Sequence, residues 1–215
     1  MTVIINPKSF WENIGQSPRA RDSFLIRTDE ESYWQSGQDD AEYIFTEAQK
    51  QGQKQFGTVL EYGSGDGRIA RFMSAKCNEF ICADIAESVL NLARQQLTER
   101  FGLDNVRYSL IESLESQENF ADFVYSSQVI QHNPPHEQKQ IMANIYRFLK
   151  PGGMACVYLP SLEAIPGYQN GPTCMCFTRE QAEELAQAFD SYEIVLHNCE
   201  YLVWGKKNME ESICF

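Results

Sequence analysis

The 215 residues are enough for one α/β domain with a large buried core and too few for two comfortable ones. With 18 lysines and arginines against 30 aspartates and glutamates, the formal charge of −12 would repel duplex nucleic acid or an anionic membrane and favours a small or cationic partner. No apolar run approaches the roughly 18 to 20 residues of a membrane span, and Met1 to Trp11 lacks the basic-then-apolar order of a secretory leader, so a cytoplasmic protein is expected.

Residues 1–56 are expected to form a helical or lid-like extension to a single domain spanning 57–215. Trp11, Phe24, Tyr33 and Trp34 make the extension aromatic, Pro7 and Pro18 interrupt it, and a helix is predicted from about Asp39 to Gln51. From residue 58 apolar and amphipathic runs alternate, the mark of repeated βα units around a mostly parallel sheet. Val59-Leu60 begins the first strand, and Gly67 to Ala75 carries Ile69, Phe72 and Met73 at helical spacing. Phe80 to Ala83 is the second strand, followed by a helix from about Ala86 to Arg100. Val106 to Ile111 and Phe120 to Tyr125 are the third and fourth strands. A helix from about His136 to Leu149 turns Ile141, Ile145 and Phe148 inward. Pro151-Gly152-Gly153 stops it and leads into a strand over Met154 to Leu159.

Pro160 to Cys176 is too long for a routine connection and is expected to be a functional loop. Thr178 with Gln181 three residues on forms a capping box for a helix carrying Leu185, Ala186 and Phe189. Two last strands, Tyr192 to Leu196 and Tyr201 to Trp204, are separated only by His197 to Glu200. A crossover helix cannot fit there, so these strands must pair antiparallel. The predicted fold is therefore a doubly wound, mostly parallel seven-stranded α/β sheet with a C-terminal antiparallel hairpin and helices on both faces. Seven cysteines form no C-x-x-C pair, which argues for thiols in a reducing compartment and against a zinc site; no metal is expected.

Glu61-Tyr62-Gly63-Ser64-Gly65-Asp66-Gly67 follows a strand and opens a helix. Glycines there let the backbone turn sharply and approach a ligand closely. A dinucleotide site would want a third glycine at position 68, which is Arg68. A carboxylate at Glu61 would repel a pyrophosphate and favour a cation. The spacing G-x-G-x-G with an acidic residue two places before it instead resembles motif I of the class I S-adenosylmethionine-dependent methyltransferases. Asp84 ends the second strand 21 residues after Gly63, where its two oxygens could accept from both hydroxyls of a ribose, or could serve as a turn or helix-cap residue. Asp122 to His132 resembles the motif IV region of the small-molecule members, and Leu149-Lys150-Pro151-Gly152-Gly153 resembles their turn before strand five. With the terminal hairpin, the likeness covers about residues 57 to 206.

What the resemblance implies is an S-adenosylmethionine site with S-adenosylhomocysteine as product. Glu61, Gly63, Ser64, Gly65 and Gly67 would hold it in the loop, Asp84 and Ile85 at the ribose, Glu112 and Ser113 near the adenine, and Ser127 beyond the fourth strand. Trp34, in Tyr33-Trp34-Gln35-Ser36-Gly37, would lie over the methionyl end, or else cap the sheet edge. His132 is the candidate general base toward the acceptor, with a loop-ordering role as its alternative. Asn133-Pro134-Pro135-His136 is similar to an amide-methylating motif, but stands nine residues beyond Val124 and ends on histidine, so it reads as a helix start. The expected activity is methyl transfer to an oxygen or nitrogen of a small molecule. A protein or RNA methyltransferase, a non-catalytic S-adenosylmethionine-binding module and a polyamine synthase are the rivals. The absence of a basic patch argues against RNA, and the lack of acidic residues in Ser126-Ser127-Gln128 against the synthase.

Overall fold

The computed structural model describes residues 6–17, 29–165 and 174–209. Pro18, Phe24, Cys214 and the middle of the Pro160–Cys176 loop lie outside the described residues. Seven strands make one sheet: β1 (Thr58–Tyr62), β2 (Glu79–Asp84), β3 (Val106–Leu110), β4 (Ala121–Ser126), β5 (Leu149–Pro160), β6 (Ser191–His197) and β7 (Glu200–Lys206). Their order is β3-β2-β1-β4-β5-β7-β6, with β1 to β5 parallel and β7 antiparallel to both β5 and β6. The β6–β7 turn is two residues, Asn198 and Cys199, at φ 45 and 67, the left-handed pair that matches the twist of a tight hairpin.

Central strands buried on both faces must be apolar at successive positions, and β1 shows this directly, since neighbouring Val59 and Leu60 are both fully buried. Val59, Phe80, Phe123 and Trp204 pack with Ala41, Ile44 and Ala48 of α2 (Glu30–Lys50), Met73 of α3 (Ala70–Met73) and Leu90 of α4 (Glu87–Arg94). Leu60, Val124 and Val157 pack on the opposite face with Ile141, Ile145 and Phe148 of α5 (Pro135–Phe148) and Leu185 of α6 (Arg179–Ala186). The doubly wound fold is therefore the one predicted. Asparagine 6 caps a further helix, α1 (Pro7–Gln16), which lies against α4. There the Glu12 carboxylate accepts from the backbone N–H groups of Glu87 (2.7 Å) and Ser88 (3.2 Å), closing the open end of α4. Among the described residues no helix is long and apolar enough to cross a membrane.

Several element boundaries differ from the sequence reading. The helix expected from Asp39 starts at Glu30, because Asp29 caps it by accepting from the Ser32 N–H at 2.9 Å. Gly37 then sits inside the helix, where it costs helix propensity. A Cβ at Gly37 would stand 2.3 Å from the Arg68 carbonyl oxygen, so the glycine lets α2 close onto the loop after β1. The helix read over Gly67 to Ala75 is only Ala70–Met73 plus a 3₁₀ turn, Ser74–Lys76, and the one read to Arg100 changes to a π-helix over Gln95–Arg100. Pro151-Gly152-Gly153 is taken up inside β5 as an irregularity, opposite the register shift between Ala121 and Phe123. The Thr178–Gln181 capping box forms as read.

Candidate functional site

Strand order reverses between β1 and β4, and in sheets of this kind the crevice outside the carboxyl ends at that reversal is where ligands bind. A cavity of about 1040 Å³ lies there. This is at the top of the range of about 300–1,000 Å³ for small-molecule sites, so it is large enough for two ligands side by side.

The loop after β1 is its floor. Gly63 and Ser64 both donate their N–H groups to the Ala83 carbonyl, at 2.7 and 3.0 Å, which ties the loop to β2. Gly63, Gly65 and Gly67 all have positive φ. A Cβ on Gly63 would stand 2.2 Å from Val129 Cγ2, and one on Gly67 2.7 Å from Leu97 Cδ1. One on Gly65 would meet nothing within 4 Å, so that position faces open space. The Ser64 hydroxyl is buried with no hydrogen-bond partner among the described residues.

Carboxylates crowd this floor. Glu61 is 3% exposed, and its Oε2 accepts from the Tyr125 hydroxyl at 2.9 Å. Burial pushes its pKa up to about 8, with the Tyr125 hydrogen bond and the Arg68 charge pulling the other way. Asp84 accepts from Gly65 N–H through Oδ2 and from Ala86 N–H through Oδ1, each at 3.1 Å. Burial raises it to about 6 against those backbone bonds. Asp66, 2% exposed, accepts from the Tyr33 hydroxyl. Arg68 pairs with Asp40 at 2.7 Å and donates to the Ser36 hydroxyl at 3.1 Å. Burial alone would lower its pKa, but Asp40 outweighs it. The arrangement, a carboxylate raised by burial beside an orphaned hydroxyl and an open glycine, suits a ligand that brings positive charge.

Of the residues singled out in the sequence, Glu61, Gly63, Ser64, Gly65, Asp84, Ile85, Ser127 and His132 line this one cavity. Four do not. Trp34 falls about 100° round the helix from Tyr33, and it packs edge-on to Phe101 with the Arg71 guanidinium over its ring at 4.8 Å. Tyr33 takes the cavity position instead. Gly67 serves the packing of Leu97. Glu112 points outward to Lys8 at 2.8 Å, and Ser113 is exposed; the 3₁₀ turn Ile111–Leu114 presents Ile111 inward, with Glu115 beyond it. His132 packs edge-on against Trp11 of α1, which also lines the cavity. Asn133-Pro134-Pro135 does begin α5, with Pro135 at its first position. Sequence reasoning passed over Tyr33, Asp66 and Arg68, each inside or beside a quoted motif, and Glu200, which no local pattern marks.

Residues 59–153, from β1 into β5, match a family model described as "Methyltransferase domain". Methyltransferase AacuQ of Aspergillus aculeatus is 30% identical over 154 residues, covering 69% of this chain and 42% of that protein. The ubiquinone/menaquinone biosynthesis C-methyltransferase UbiE of Yersinia pestis bv. Antiqua is 30% identical over 139 residues, 62% of this chain and 48% of its own. Over residues 59–153 the chain is thus similar to the S-adenosylmethionine-dependent methyltransferases, and its seven-stranded sheet is the fold of their class I members. Its matched stretch spans less than half the length of these curated relatives. The chain has the fold of the magnesium protoporphyrin IX methyltransferase ChlM of Synechocystis PCC 6803, solved with bound SAH: TM-score 0.67 and 12% identity over 94% of this chain and 98% of that one. S-adenosylmethionine, the family's cofactor, carries a sulfonium and an ammonium, and the carboxylates and open glycine of this cavity fit it.

Proposed function

We propose that this domain transfers a methyl group from S-adenosylmethionine to an oxygen or nitrogen of a small-molecule acceptor. One observation carries the reading: the acidic glycine-loop floor, Ser127 beyond the fourth strand and the proposed acceptor-side residue His132 line a single cavity of about 1040 Å³, at the top of the range for small-molecule sites. Gly63, Ser64 and Gly65 would lie against the cofactor, Glu61 would balance its positive charge, and Asp84 would accept from the ribose with the lone pairs that Gly65 and Ala86 leave free. When bound, the cofactor supplies an electrophilic methyl. The chain's own part is to hold the nucleophile in line with it and to exclude water, which can contribute roughly 7 to 11 kcal/mol. His132 would take the proton of a hydroxyl acceptor. A net charge of −12 supports a small acceptor over RNA, and cysteines without paired spacing support a cytoplasmic setting. The name of the UbiE relative raises a carbon acceptor as the competing case.

Calorimetry with S-adenosylhomocysteine and NAD tests the cofactor. The adenosyl compound should bind and NAD should not; equal binding of both, or of neither, overturns the reading. Incubation with S-adenosylmethionine and pooled metabolites, read by mass spectrometry and tandem fragmentation, should show one methyl gained on oxygen or nitrogen. A methyl found on carbon would replace that part of the proposal.

A further inference from the structure

Glu200 opens β7 immediately after the Asn198–Cys199 turn, and its main chain pairs with His197 of β6 and Pro160 of β5. Three strands, β1, β4 and β5, stand between it and β2, which ends in Asp84. At about 4.8 Å per strand, Glu200 lies roughly 20 Å along the crevice from the ribose end. It is half-buried and lines the cavity. Its Oε1 accepts from Gln128 Nε2 at 2.5 Å, and Gln128 is itself held by a hydrogen bond from Gln131 Nε2 at 2.7 Å. Gln128 takes φ 60, a conformation that favours glycine and that the surrounding contacts must maintain. Glu200 Oε2 has no donor among the described residues. The carboxylate is thus fixed in direction with one oxygen left for a ligand.

The rest of the cavity sharpens what that ligand can be. Glu61, Asp66, Asp84, Glu115, Glu137 and Glu200 line it, against Arg68 as the one lysine or arginine among the described lining residues. Arg68 is already paired with Asp40. An anionic acceptor would lose its hydration and meet no uncommitted cation, whereas an ammonium would gain a charge-assisted hydrogen bond. That the cavity takes a ligand at all is supported independently by the Ser64 hydroxyl, buried and unpartnered on its floor. We infer that Glu200 is a specificity-determining residue, whose free Oε2 binds an amine group of the acceptor and so selects amine-bearing acceptors over carboxylate-bearing ones. This rests on the proposed function and narrows its substrate class. Burial, which raises the Glu200 pKa to about 7, agrees with a carboxylate awaiting a cation.

The test uses the whole chain saturated with S-adenosylhomocysteine and three probes of one shape: phenethylamine, phenethyl alcohol and phenylacetate. Their aryl-alkyl frame suits the apolar walls at Trp11, Val129 and Ile141. Phenethylamine should bind at least tenfold tighter than phenylacetate, with the alcohol between them. Glu200→Gln, which keeps the shape and an acceptor for Gln128, should weaken the amine about 10- to 100-fold and tighten phenylacetate, while leaving S-adenosylhomocysteine affinity and the alcohol unchanged. Phenylacetate binding as well as the amine, or an amine affinity untouched by Glu200→Gln, overturns the inference alone. Failure of S-adenosylhomocysteine to bind overturns the proposed function and this inference with it.

Discussion

His132 reaches the cavity from a 3₁₀ turn, Ile130–His132, and its ring is flanked edge-on by Trp11 at 5.6 Å between centroids. Two roles follow for it: the proton acceptor read from the sequence, here facing the cavity, or, in place of the loop-ordering residue read as the alternative, a ring that anchors α1 over the cavity. The two separate in His132→Ala measured at saturating cofactor. Loss of a general base should lower turnover by about 10²- to 10⁴-fold with S-adenosylhomocysteine affinity intact. A change of only a few-fold, accompanied by weaker cofactor binding, would assign His132 to the seating of α1. Trp34 and Tyr33 teach the complementary lesson. Adjacent aromatics in a helix point about 100° apart, and which one faces the ligand depends on where the helix begins and what it lies on. The aromatic pair was legible in the sequence; the choice between its members was not.

At the scale of the element, the three loop glycines share a positive φ and differ in what surrounds them. Val129 is β-branched and stiff, so it cannot rotate away from a Cβ at position 63, whereas the Leu97 side chain can yield partly to one at 67. Gly63→Ala should therefore destabilise most, by the overpacking cost of about 1 to 3 kcal/mol added to the left-handed backbone cost, with Gly67→Ala next. Gly65→Ala should lose only the backbone cost of about 1 to 2 kcal/mol, because nothing lies within 4 Å, yet its methyl would project into the cavity and weaken S-adenosylhomocysteine at least tenfold. Melting temperatures and calorimetry on the three variants check the order. A Gly65→Ala protein that binds the cofactor product normally would mean that the open space at Gly65 is not where the ligand lies.

Across the whole molecule, the cavity is built at the expense of stability. Glu61, Asp84 and Glu200 have folded pKa values raised to about 8, 6 and 7 from 4.5, 3.8 and 4.5. A raised carboxyl pKa contributes stability that is fully present below the unfolded value and is lost as pH rises through the folded one. The ligand-free protein should accordingly melt at lower temperature at pH 8.5 than at pH 5.5. Glu61→Gln should flatten that slope and stabilise by about 2 to 4 kcal/mol at pH 8, while weakening cofactor binding. The depressed carboxylates Glu12, Asp29 and Glu180 act with the opposite sign, but below the ordinary carboxyl range, outside this window. A Glu61→Gln protein with the wild-type pH slope would show that Glu61 is not the group whose burial costs stability.

The alternation of apolar and amphipathic runs, the short His197–Glu200 gap between the last two strands and the glycine spacing were enough to specify the sheet, its hairpin and the ligand loop, because each depends on local periodicity or on chain too short to do otherwise. Boundaries drifted where a cap or close approach decided them, as at Asp29 and Gly37. Which carboxylates share the cavity was beyond local reading. Asp84 and Glu200 are brought to one crevice only by the strand order, which inserts β7 between β5 and β6. The raised pKa values belong to that assembly too, since burial is the largest cause of each.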